Sequence, residues 1–167
     1  MASLNRILGI LKTSTVEIGK IVTVNETFVV ARQDEDVDLT ADTPTTIPFN
    51  VEDEDRLDEF DPTTGTFTPD ETEWYQFLVH AEFAVDSDQD ELKMSIYDVE
   101  ADDTLFESEI RANGTGNRDR SINAVVDLEA GEDYQVQAEN SDNDDTINGK
   151  PKRTKLVITP EITGKTA

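Results

Sequence analysis

Residues 74–85, WYQFLVHAEFAV, alternate with the period of a β-strand. Tyr75, Phe77, Val79, Ala81, Phe83 and Val85 fall on one face of an extended chain. A helix would scatter the same residues around its axis. The other face, Trp74, Gln76, Leu78, His80, Glu82 and Ala84, is mixed. A strand of this kind meets a hydrophobic core on one side and a second surface on the other. We expect Trp74, Leu78 and His80 to make that second contact, against another copy of the chain.

Shorter segments of the same kind surround this strand. Thr27–Ala31, Ile47–Val51, Leu92–Val99, Thr104–Arg111, Ser121–Leu128, Tyr134–Ala138 and Thr154–Pro160 are each expected to be extended. Pro48 suits an edge strand, because proline donates no ladder hydrogen bond. Phe106 and Ile110 should share a face, as should Ile122, Ala124, Val126 and Leu128. Asn113-Gly-Thr-Gly116 marks a turn, and residues 33–46 form an acidic, threonine-rich loop. Eight or more strands separated by turns point to an all-β sandwich or jelly roll.

At 167 residues the chain suffices for one such domain with a short appendage. We divide it into residues 1–22 and 23–167. The appendage places Leu4, Ile7, Leu8 and Leu11 at helical spacing behind a capping Ser3. A single short amphipathic helix is not stable alone. It is expected to be an anchor, bundled with its copies, docked into a larger shell, or folded onto its own domain. Residues 1–24 lack the pattern of a secretory signal, and no segment has the length of a membrane span. Assembly inside the cell follows as an expectation.

The chain carries 38 acidic and 14 basic residues, a formal net charge of −24. The acids lie between apolar strands rather than in one tail, so we expect a folded protein suited to high salt. In molar salt the Debye length falls to about 3 Å, and self-repulsion is screened. Such a surface has no basic patch to neutralise phosphates, which argues against nucleic acid as a partner. Without cysteine, disulfides and thiolate metal sites are excluded.

Five of the eleven aromatic residues fall within residues 60–77, FDPTTGTFTPDETEWYQF. Phe60 and Phe67 bracket a turn, and Tyr75 and Phe77 enter the strand that follows. From Phe49, five residues lead to Asp55, four to Phe60, six to Phe67, seven to Tyr75 and one to Phe77. This spacing resembles the signature of the complement-type, tumour-necrosis-factor-like jelly-roll heads. Six of eight signature positions match; Glu73 replaces the family's glycine, and Val79 its final aromatic. The run Leu128-Glu-Ala-Gly131-Glu132-Asp-Tyr134-Gln-Val136 is similar to a second family element. The resemblance covers roughly residues 25–162. It implies a ten-stranded, two-sheet antiparallel jelly-roll sandwich that trimerises about a threefold axis and that binds or displays rather than catalyses. Phe49, Phe60, Phe67, Tyr75, Phe77 and Phe83 are the expected core.

His80 is the only histidine, so a histidine metal cluster is excluded, and a Ser-His-Asp triad is not expected. The chain is read as a non-enzyme without a cofactor. Asp86-Ser-Asp88-Gln-Asp90-Glu91 alternates acids as a calcium loop does, but lacks that loop's glycine and distal glutamate. It and Asn140–Asp145 are weighed as divalent-cation loops against solvated acidic loops. Asn25 and Asn113 begin glycosylation-type triplets, and Lys150-Pro-Lys-Arg153 is the one basic cluster, expected to form salt bridges. The functional expectation is a trimeric decoration spike or fibre tip on the virion surface of a tailed virus of a halophilic archaeon. It would be held to the capsid or another virion protein by Leu4, Ile7, Leu8 and Leu11, and would touch the host surface. The alternative is a monomeric carbohydrate- or surface-binding sandwich of a halophilic archaeon.

Overall fold

The computed structural model describes residues 26–85, 91–141, 144–149 and 154–161. Leu4, Ile7, Leu8 and Leu11, Asn25, the acids of 86–90 and the basic cluster 150–153 lie outside them. The described residues form thirteen strands and no helix. In chain order these are β1 (Val29–Arg32), β2 (Val37–Leu39), β3 (Thr45–Thr46), β4 (Val51–Asp55), β5 (Phe60–Asp61), β6 (Thr66–Phe67) and β7 (Glu73–Val85). Then follow β8 (Glu91–Asp98), β9 (Asp103–Arg111), β10 (Gly116–Leu128), β11 (Tyr134–Asn140), β12 (Asp145–Ile147) and β13 (Lys155–Pro160).

All pairings are antiparallel, and they build two sheets. In the first, β7 is central. β10 runs along one side of it in unbroken register, from Gly116 opposite Val85 to Leu128 opposite Glu73. On its other side β13 and β12 share its length, and β13 leads on to β1 and then β4, while β12 carries β2. In the second sheet β9, β8 and β11 are neighbours, and the far side of β11 holds β3 and β6, with β5 beyond β6. Eight of the twelve connections between successive strands cross from one sheet to the other, as expected of a jelly roll.

The inward faces meet in one core. Phe49, Phe60, Phe67, Tyr75, Phe77 and Phe83 are all buried in it, together with the whole alternating set of β7. Phe67 meets Tyr75 and Phe77 edge-on, with ring centroids 5.4 and 6.0 Å apart, the geometry that aromatic quadrupoles favour. The Tyr75 hydroxyl donates to the Glu71 carbonyl at 2.9 Å. Burial raises its pKa to about 12. Asp55 acts locally, its carboxylate accepting from the backbone N–H groups of Leu57, Asp58 and Phe60 at 3.2, 3.0 and 2.7 Å. That clamps the turn which delivers Phe60 to the core.

The expected strand Ile47–Val51 does not form; the strand begins at Val51 instead. Pro48 cannot donate, and Phe49 takes a left-handed conformation with φ 45°. Ile47 and Phe49 still both reach the core across this kink, and each is fully buried. Gly65 packs against this kink. A Cβ there would meet the Ile47 carbonyl oxygen and the Pro48 Cα at 2.7 Å, and its φ of 72° also favours glycine. The loop 33–46 contains β2 and β3. On β9, Phe106 packs on the core while Ile110, further along the edge, is exposed.

Candidate functional site

The outer face of the first sheet departs from the rest of the surface. Alternation on β7 turns Trp74, Gln76, Leu78 and His80 away from the core, and alternation on β10 does the same for Ser121, Asn123, Val125 and Asp127. The register sets Val125 opposite Gln76, so it lies diagonally between Trp74 and Leu78. Diagonal neighbours on a sheet face are close enough for large side chains to touch. Trp74, Leu78 and Val125 are 48, 40 and 41% exposed, unusual for large apolar residues grouped in a chain this acidic. Gln76 is fixed between them by a 2.9 Å hydrogen bond to Asn123 Oδ1. The pattern of β7 alone does not single out Val125. A signal for it exists in β10, since it breaks the polar outward set of an otherwise regular strand.

His80 lies at the end of this face and is more occupied than its isolation in the sequence suggests. Its Nδ1 is 3.0 Å from Ser121 Oγ, and its Nε2 is 3.5 Å from Asp119 Oδ1. Serine, histidine and aspartate thus do meet, contrary to expectation, because Ser121 pairs directly with His80 across the β7–β10 ladder. Acyl transfer needs in addition a cleft and donors for an oxyanion. Ser121 stands on an open sheet surface, where the contact orients the imidazole at the rim of the apolar patch.

Two further exposed apolar residues lie on β9, Leu105 at the irregularity in its pairing with β8 and Ile110 on the same side as Phe106. β9 is the last strand of its sheet, paired with β8 alone, and β10 is the last strand of the other. The molecule therefore has an apolar face and, around the corner, an edge with apolar residues of its own.

Neither a protein-family model nor a curated protein matches the chain. Solved structures do. Eiger TNF from S. frugiperda superposes with a TM-score of 0.60 over 81% of this chain and 92% of that one, at 13% identity. Murine APRIL gives a TM-score of 0.60 over 81% of this chain and 98% of that one, at 12% identity. The fold is a tumour-necrosis-factor-like jelly roll. The globular domain of zebrafish complement 1qA protein superposes less well, with a TM-score of 0.48 at 20% identity, and the assignment rests on the other two.

Within this TNF-like fold the signature residues have structural roles. The aromatics fill the core, and Asp55 holds a turn. Gly131, at φ 80°, donates its N–H to the Pro69 carbonyl at 2.8 Å and ties the entrance of β11 to that of β7. In the second acidic loop Asn140 and Asp145 are buried and bonded to each other at 2.6 Å, while Asp144 accepts from the Ala41 N–H. Among the described residues no three acidic or histidine side chains gather as metal ligands. Asn113 is exposed in its turn.

Proposed function

We propose that the chain is a non-enzymatic, trimeric display head on the virion surface of a tailed virus of a halophilic archaeon. The observation that carries the assembly is the apolar patch of Trp74, Leu78 and Val125. Three copies about an axis need two different patches, since a ring uses head-to-tail contacts. The face of Trp74, Leu78 and Val125 is one; the β9 edge with Leu105 is the other. His80, Ser121 and Asp119 then form a polar rim. The fold shared with Eiger TNF and APRIL supports a module that binds and displays.

The virion role draws on the −24 charge, read as adaptation to high salt, and on Leu4, Ile7, Leu8 and Leu11 as an anchor to the capsid or another virion protein. The head would be assembled in the host cytoplasm and would touch the host surface after release. A carbohydrate-binding monomer is less well supported. The cavity beside Phe28 has that ring covered by the Arg56 guanidinium at 4.5 Å, and Trp74 stands on an open sheet rather than in a groove. Antibody labelling of purified particles in molar salt tests the role. Regular label on shells or fibre tips is expected; protein found only in cells and medium would overturn it.

A further inference from the structure

Three arginines of this acidic chain meet at one cavity of about 180 Å³ between the sheets. Arg118 and Arg120 lie on β10 in the same alternation as Ile122 and Ala124, opposite Phe83 and Ala81, so they continue the inward face at the mouth of the sandwich. Arg111 stands at the rim, and Leu92, Ile110 and Ala112 supply an apolar wall.

None of the four ion pairs among the described residues involves these arginines. Arg118 donates through Nη1 to the Asn117 carbonyl at 3.0 Å and through Nη2 to the carbonyls of Asn113, Gly114 and Thr115 at 2.8, 2.8 and 3.2 Å, which positions its guanidinium without neutralising it. Arg120 Nε is buried and has no hydrogen-bond partner. Burial pulls the pKa of Arg120 below the usual arginine value. Asp119, the one acid lining the cavity among the described residues, alternates outward and faces His80. Arginine keeps its charge in proteins, and a buried donor left empty costs about 1–3 kcal/mol. Among the described residues no carboxylate meets Arg120 Nε, so this donor at the cavity is a place for an anion.

We infer that Arg111, Arg118 and Arg120 form a binding site for a carboxylate carried on a short aliphatic stem. A guanidinium binds a planar carboxylate through two parallel hydrogen bonds. The apolar wall suits a stem of two or three carbons, and the volume is about that of six waters in the liquid, which a carboxylate with such a stem fills. The carboxylate has two sources: a free short-chain acid, or a Glu or Asp side chain of a second copy.

The probe is sodium butyrate, titrated into the full chain at constant ionic strength and followed by the methyl resonances of Leu92, Ile110 and Ala112. Saturable shifts are expected with butyrate and none with butyramide. Arg120→Gln should weaken binding at least tenfold, and Arg32→Gln, whose ion pair with Asp53 lies elsewhere, should not. If Arg120→Gln fails to fold, Arg111→Gln at the exposed rim takes its place. Equal shifts with butyramide or with sulfate, or undiminished binding in the arginine variant, would overturn the site. Light scattering separates the sources. A fall in mass on adding butyrate assigns the site to a neighbour's carboxylate; saturable shifts at constant mass assign it to a free acid.

Discussion

Trp74→Glu should turn an associated protein into single copies without loss of its β-structure. Trp74 is half exposed on its own sheet, and its backbone carbonyl accepts from the Glu161 N–H at 2.7 Å whatever the side chain. The monomer thus loses little. The assembled molecule loses an aromatic contact of about 150–250 Å² and gains a carboxylate in an apolar interface. Central interface aromatics replaced in this way cost about 2–4 kcal/mol, so association should weaken by about thirtyfold to a thousandfold. Sedimentation together with far-ultraviolet circular dichroism checks both halves. Leu105→Glu on β9 should do the same if face meets edge. Retention of full assembly by Trp74→Glu would remove the face from the interface.

Dilution of salt should have the second large effect. A chain of net charge −24 repels itself, and assembly brings three such charges together. At about 1 M salt the screening length is about 3 Å, and at about 0.1 M about 10 Å, so the repulsion grows as salt is removed. Few local pairs counter it: among the described residues Arg32–Asp53, Arg56–Glu54 and Lys93–Glu139 are the ion pairs besides that of His80. Exposed pairs of this kind contribute about 1 kcal/mol or less each. We expect dissociation first and loosening of the fold after it, followed by light scattering and near-ultraviolet circular dichroism from molar to millimolar salt. An unchanged fold and mass in dilute buffer would contradict adaptation to high salt.

The strands that carry the core were legible wherever one face is buried and the other wet. β10 and β11 alternate over their buried lengths, and β7 does so except at Glu82, which is buried on the outer side and accepts from Asn117 and Asn148; the inward residues are those the pattern selects. The aromatic spacing from Phe49 to Phe77 was equally legible, because rings that share a core must lie at compatible positions. Strands whose pairing depends on the backbone alone were not. β4 reads Val-Glu-Asp-Glu-Asp, a solvated edge against β1, and β12 pairs with β2 and β7 from within an acidic loop. The strand expected at Ile47–Val51 failed because two buried side chains next to a proline are as well served by a kink as by a strand.

The candidate surface was half legible. Trp74, Leu78 and His80 belong to one strand, and their common exposure follows from its alternation. What completes the face, Val125, Ser121 and Asp119, comes from β10, far along the chain. Only the register between two strands brings these together, and no local pattern encodes it. The arginine cavity is similar. The parity of Arg118 and Arg120 with Ile122 is written in the chain, but the wall of Leu92, Ile110 and Ala112 comes from the opposite sheet and the turn beyond it.

The central claim is that copies of this chain assemble through the Trp74 face into a threefold head. Its most direct test is the mass of the full chain in molar salt by multi-angle light scattering. A mass three times the 18.6 kDa of one chain is the predicted result. A mass of one chain, constant over the accessible concentrations, would contradict it.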